Sequence, residues 1–239
     1  MAKKKLNLVK SSSLIRRAWR FIRRWVLRLI LLLTVIFALW IVAYKYLTPW
    51  TTIYMMQENW RQDGVQYEWV DMDQIAPVMQ RAVVAAEDAN YCLHWGLDSA
   101  AIQMALQEGA VRGGSTISQQ TVKNAFLWQG RNWVRKGLEA ALTPIADWVW
   151  GKERMLEIYL NIIEFDTGVF GIQAAAQHHF GVDAKDLNRV QAGRLAAVLP
   201  NPKDYSAVRP SAFMQKRARS IIAGSDIIRR DGRANCFQS

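Results

Sequence analysis

Hydrophobic positions divide this chain into one unbroken apolar run and a long region of helical periodicity. Leu29 to Tyr44 (LILLLTVIFALWIVAY) carries no charge, and the run extends back through Val26 and Leu27 around Arg28. At 1.5 Å per residue the stretch from Val26 to Tyr44 spans roughly 28 Å, close to the hydrocarbon thickness of a bilayer. Beyond it, Ile75, Val78, Met79, Ala82, Val83 and Ala86 recur at helical spacing, which predicts a helix delivering Glu87 near its end, with Asp71 or Asp73 as its cap. Asp98 is placed to cap a second helix running to Glu108 and stopped by Gly109. Thr116 and Gln119 have capping-box spacing and open a third after Gly113-Gly114. Further helical patterns run from Val134 to Ile145, from Met155 to Ile163, from Ile172 to Phe180 and from Leu187 to Leu199. Strand alternation is weak, with Val65 to Val70 its best instance. The expectation is a mostly α chain: an arm over 1–25, a membrane-spanning helix over 26–46, one globular domain over 47–230 and a tail over 231–239.

Charge sharpens the first of these elements. The 239 residues hold 31 Lys and Arg against 20 Asp and Glu, a formal net charge of +11. Lys3, Lys4, Lys5, Lys10, Arg16, Arg17, Arg20, Arg23, Arg24 and Arg28 precede or edge the apolar run, and without those ten cations the remainder is 21 against 20. A near-neutral body excludes nucleic acid as the main ligand, because phosphate-backbone binding needs a basic face on the domain itself. The positive-inside rule instead places the arm in the cytoplasm and everything after about Tyr46 across the membrane. A cleaved signal peptide is the competing reading, but its apolar core is usually shorter and ends at small residues, whereas this one ends in Tyr44-Lys45-Tyr46. One membrane crossing is therefore expected, with the folded domain on the far side, which in a bacterium is the periplasm or the cell exterior. Cys92 and Cys236 would then lie in an oxidising space. The sequence leaves open whether they pair; unpaired thiols are the favoured reading, since Cys92 is inside a motif and Cys236 is in a tail of frayed character.

Four polar clusters stand where a helical core would not ask for them. At the end of the first helix, Glu87 lies four residues after Val83, so its carboxylate emerges at the edge of an apolar face where desolvation raises a pKa toward general-base range; Asp88 and His94 flank it. The alternative is a helix-end carboxylate paired with a cation, beside a satisfied core histidine. The second cluster, Gly113 to Asn124, leads two glycines into a helix, an arrangement that can cradle an anion, and sets Thr116, Gln119, Gln120 and Lys123 on one face. A capped helix with a solvated face fits the same pattern. In the third, Arg131, Arg135 and Glu139 fall at i, i+4 and i+8, either as a cationic stripe or as an ordinary surface pair. The fourth carries Glu153, Glu157 and Asn161 along one helix face, for a functional role or for capping a neighbouring loop.

Taken in order, these segments resemble a known motif set. Glu-Asp-x-x-Tyr-x-x-His-x-Gly at 87–96, Gly-Gly-Ser-Thr-x-x-Gln-Gln at 113–120, Arg-Lys-x-x-Glu at 135–139, Glu-x-Tyr-Leu-Asn at 157–161 and Leu-Pro-Asn-Pro at 199–202 are similar to the peptidoglycan glycosyltransferases of family 51, over about residues 75–222. With no transpeptidase domain following, the resemblance is to the monofunctional branch. Tyr91 is a departure, standing where the family usually has Phe.

That resemblance implies a lysozyme-like bilobal fold and polymerisation of lipid II into linear β-1,4 glycan strands by inverting transfer, with release of polyprenyl diphosphate. It implies Glu87 and Glu139 as the two acidic site residues, Glu87 being the base. Ser115, Gln119, Gln120, Lys123, Arg131, Arg135 and Lys136 would bind substrate and diphosphate, and Asn161 would support the site. Glu139 either holds a divalent metal such as Mg²⁺ or orients the cations; no organic cofactor is implied. The implied partners are lipid II, the lipid-linked glycan chain, the membrane, and cell-wall synthesis or division proteins. Trp50, Tyr54, Met55, Met56, Trp60, Tyr67, Trp69 and Met72 either form a surface dipping into the outer leaflet or pack a small lobe. Two rival functions are a lysozyme-like hydrolase or lytic transglycosylase, and a non-enzymatic scaffold; cleavage needs a general acid and no diphosphate-binding cations.

Overall fold

The computed structural model describes residues 2–100, 103, 114–130 and 132–238. The chain divides into two compact units, residues 1–44 and 45–239. The first is a single helix, α1 (Ala2–Tyr46), whose segment Trp19–Tyr46 is 28 residues long and apolar enough to cross a membrane. Its Leu, Ile and Trp side chains from Trp19 onward are largely exposed, as a lipid-facing helix requires.

The second unit is helical with one small sheet. Its elements are α2 (Ile53–Gln62), β1 (Gln66–Tyr67), α3 (Pro77–Glu87), α4 (Ile117–Phe126), α5 (Trp133–Ile162), β2 (Glu164–Asp166), β3 (Val169–Phe170), α6 (Ile172–Phe180), α7 (Arg189–Val198) and α8 (Ala212–Arg230). Helix α4 packs along α5, while α3 packs against α7 and α8. The sheet runs β1-β3-β2, with β1 parallel and β2 antiparallel to β3. Strands of two or three residues are too short to show alternation, so only β1, inside Val65–Val70, was legible in the sequence. Neither Asp71 nor Asp73 caps α3: a 3₁₀ turn occupies Met72–Gln74, and Pro77, with its fixed φ, starts the helix. Asp98 directly precedes helical residues 99 and 100, but the rest of the stretch to Gly109, with Gly113, lies outside the described residues.

The two helices read from Val134–Ile145 and Met155–Ile163 join into α5, which breaks direction at Gly151 (φ 73°, ψ 169°), a conformation only glycine adopts without strain. The break separates two kinds of surface. After it, Met155 to Phe165 is buried without interruption and forms the core of the unit. Before it the usual amphipathic order is inverted: Arg135, Glu139, Thr143 and Asp147 face inward, while Trp133 (91% exposed), Val134, Leu138, Ile145 and Trp148 face out.

Two expectations about the C-terminal end are corrected. Cys92 and Cys236 form a disulfide, with Cα atoms 5.7 Å apart. The tail is anchored rather than frayed: Phe237 is buried against Tyr91, ring centroids 6.0 Å apart, and Arg233 donates to the Ala89 carbonyl at 2.8 Å. The signal missed was apolar content, since Ala234 and Phe237 are the residues that bury. Closing a span of 144 residues removes about 5 kcal/mol of denatured-state freedom in the chain-entropy description.

Candidate active site

Helix α3 delivers Glu87 at its last turn, where burial of Val83 and Val84 draws the carboxylate into the protein. Gln120, from the first turns of α4, donates its amide to Glu87 Oε2 at 3.0 Å and accepts the Tyr159 hydroxyl at 3.2 Å. The Arg217 guanidinium of α8 lies 3.6 Å from Glu87 Oε1. Burial raises the Glu87 pKa above the ordinary carboxylate range, opposed by Gln120 and Arg217 and reinforced by the Asp88 charge. A carboxylate held this way is a stronger proton acceptor than one in water.

Its neighbour Asp88 does different work. Asp88 binds His94 Nε2 at 3.0 Å and accepts the Ile117 backbone N–H at 3.0 Å, tying the 88–96 loop to the start of α4. Of the two readings of His94, the paired core histidine is what forms. Tyr91 keeps the buried aromatic position, and its hydroxyl is satisfied by the Lys152 carbonyl at 2.8 Å. At Gly96 (φ 82°) a Cβ would meet Thr143 Cγ2 at 2.8 Å, so loop and α5 approach too closely for any side chain.

The segment 114–123 splits its polar residues between structure and cleft. Thr116 caps α4 and the Gln119 side chain returns to the Thr116 N–H at 3.0 Å, completing the capping box; both are buried. Gln119, expected at a substrate-binding position, is thus engaged in holding the helix start. Ser115, Gly114 and Thr116 line a cleft of about 160 Å³ together with Glu87, Asp88, Asn90 and Asp98. Lys136 donates to Ser115 Oγ at 3.0 Å, joining the 114–116 loop to α5.

Asn132 caps α5, accepting from the Val134 and Arg135 N–H groups, so the helix begins at Trp133. Of the expected three-residue stripe the structure describes Arg135 and Glu139, and Arg131 lies outside the described residues. Glu139 is buried, with Oε2 held by Arg135 at 2.6 Å and Oε1 by Lys136. Lys123 projects from α4 into the same field: burial and the charges of Arg135 and Lys136 lower its pKa, while Glu139 and Glu87 oppose that shift. Glu87, Lys123, Arg135, Lys136 and Glu139 thus form one interacting set, which the sequence held in three separate motifs.

The fourth cluster serves a loop. Asn161 pairs with Val70 through both its N–H and its C=O, each at 2.9 Å, and Glu157 accepts the Met72 N–H at 3.1 Å. Of the aromatic and methionine side chains over 47–75, Met55 and Met72 are buried and Tyr54 packs on Phe170, whereas Trp50 and Trp60 are exposed. The packed-lobe reading holds for Met55, Met72 and Tyr54, while Trp50 and Trp60 are left on the surface.

Residues 54–225 match the Transglycosylase family, which spans most of the chain. The chain belongs to that family. It is 57% identical over 237 residues to the biosynthetic peptidoglycan transglycosylase of Jannaschia sp. (strain CCS1), covering 99% of each chain. It is 41% identical to that of Caulobacter vibrioides, over 91% of this chain and 98% of the relative. An Escherichia coli relative of the same description is 45% identical over 84% and 88%. The transglycosylase assignment bears out the resemblance carried by the five motifs and the lysozyme-like, mostly helical fold. Arg217 and Tyr159 are neighbours of the Glu87 carboxylate that sequence reasoning missed, one at 3.6 Å from it and the other through Gln120. Tyr159 lay inside the 157–161 motif, while Arg217 is 130 positions from Glu87 and has no local signature.

Proposed function

We propose that this enzyme polymerises lipid II into linear β-1,4 glycan strands of peptidoglycan. The observation that carries the reading is the buried carboxylate of Glu87 in the field of Lys123, a lysine that is coupled in turn to Arg135 and Lys136. A sugar hydroxyl is a poor nucleophile and needs a base; a diphosphate is a good leaving group and needs charge stabilisation more than a proton. Glu87 takes the proton from the 4-hydroxyl of lipid II as that oxygen bonds to the anomeric carbon of the growing chain. The bond from that carbon to the diphosphate breaks on the opposite face, converting an α-linked donor into a β-linked product. The departing charge falls to the cations. Cleavage of finished glycan would use no such cations, so the set favours transfer over a lytic reaction.

Glu139 orients the cations in this reading. Both its oxygens already take positively charged donors, a donor set that does not fit a divalent ion. If that is so, the response of the rate to added Mg²⁺ is the same in Glu139→Gln as in the wild type; loss of that response in the variant would assign the metal to Glu139.

The apolar outer face of α5, with exposed Trp133, Leu138 and Trp148, supports action on substrates that remain in a bilayer. The disulfide supports placement of this unit on the oxidising side of an inner membrane crossed once by α1, with the basic arm cytoplasmic. Contacts with other cell-wall synthesis or division proteins belong to the same proposal. Incubating the purified chain with lipid II and, separately, with finished glycan tests it: polymer is expected from the first and no fragments from the second. Activity in Glu87→Gln would remove Glu87 as the base, and complementation of a cell by an inactive variant would favour a scaffold.

A further inference from the structure

Away from the Glu87 cleft, three side chains converge where β2 meets the end of α6. Asp166 Oδ2 lies 3.6 Å from His179 Nε2 and 3.9 Å from His178 Nε2, and one donor atom from each residue lies within 4.8 Å of the others. These separations are too long for hydrogen bonds. The two Asp166 distances exceed by only a few tenths of an ångström the roughly 3.3 Å edge of a tetrahedron built around an ion with bonds of about 2.0–2.1 Å.

The surroundings prepare the same atoms as ligands. The His179 side chain is 4% exposed, yet its Nε2 has no hydrogen-bond partner, a costly arrangement for a buried polar atom. That buried nitrogen is turned toward Asp166. On Asp166, Oδ1 accepts the Thr167 N–H at 2.7 Å, leaving Oδ2 toward the histidines. Asp166 and His178 are about one-third exposed, which leaves a route from solvent and room for water in a fourth position.

We propose that Asp166, His178 and His179 bind one divalent transition-metal ion, zinc in the first instance, joining the sheet to the C-terminal turn of α6. Two imidazoles and one carboxylate suit Zn²⁺ and its first-row neighbours and disfavour Mg²⁺ and Ca²⁺, which take oxygen. The site shares no residue with the polymerisation cleft and does not depend on the reading of that cleft.

The test uses the full chain in detergent, without a polyhistidine tag, equilibrated with zinc sulfate, dialysed, and analysed for metal content. One zinc per chain is expected, with a zinc-dependent rise in melting temperature and, for cobalt, the visible bands of a low-symmetry four-coordinate ion. Asp166→Asn and His178→Gln each weaken zinc binding at least about tenfold and abolish the temperature rise. His178 is partly exposed, so its variant folds even if the Asp166 variant does not. No retained zinc in the wild type, or equal retention in the wild type and His178→Gln, overturns the proposal.

Discussion

Gln120 donates to Glu87 at 3.0 Å while accepting from Tyr159, so the orientation of the carboxylate is set by a phenol buried in the core. The amide also stabilises the ionised carboxylate and lowers its pKa against the raising effect of burial. Gln120→Ala therefore moves the acid limb of the polymerisation rate profile to higher pH, as does Arg217→Gln, which removes a stabilising positive charge. Rate measured against pH in the three proteins checks this, and an unmoved limb in both variants would detach the pair from the base.

Glu87→Gln lowers polymerisation by roughly 10²- to 10⁴-fold, the usual contribution of a positioned base. Its effect on stability has a defined sign. Because the folded pKa is raised, the folded chain binds a proton more tightly than the unfolded one between the ordinary value of about 4.3 and the folded pKa. Glu87 thus contributes most below that window, and stability declines as pH rises through it. Urea unfolding at a series of pH values should show the decline in the wild type and its loss in Glu87→Gln.

Replacing both Cys92 and Cys236 by Ser lowers the melting temperature, with about 5 kcal/mol as the upper bound on lost stability. Because Cys92 follows Tyr91 in the loop carrying Asp88 and His94, the reduced chain also loses polymerisation rate. Differential scanning calorimetry and the lipid II assay, each with and without reductant, check both effects.

Asn161→Ala leaves the Val70 N–H and C=O without their partner and costs about 2 kcal/mol. Glu157 still holds Met72, so the loop loosens rather than unfolds. Chemical denaturation gives the cost, and faster amide exchange over 70–72 gives its location.

The sequence by itself determined the apolar span of α1, the mostly helical character of the remainder and the Thr116–Gln119 capping box. These follow from spacing within one or two helical turns, and local periodicity records such spacing directly. It also determined which motifs hold Glu87, Lys123, Arg135 and Glu139. Only the tertiary structure decided which polar residues face the cleft and which serve the scaffold, as with Gln119 in its cap and Asn161 on its loop. It alone brought Arg217 to Glu87, Cys236 to Cys92, and Asp166 to a pair of histidines. The physical reason is common to all three: each partner's role depends on burial and on an approach across the fold, and neither leaves a periodic trace along the chain.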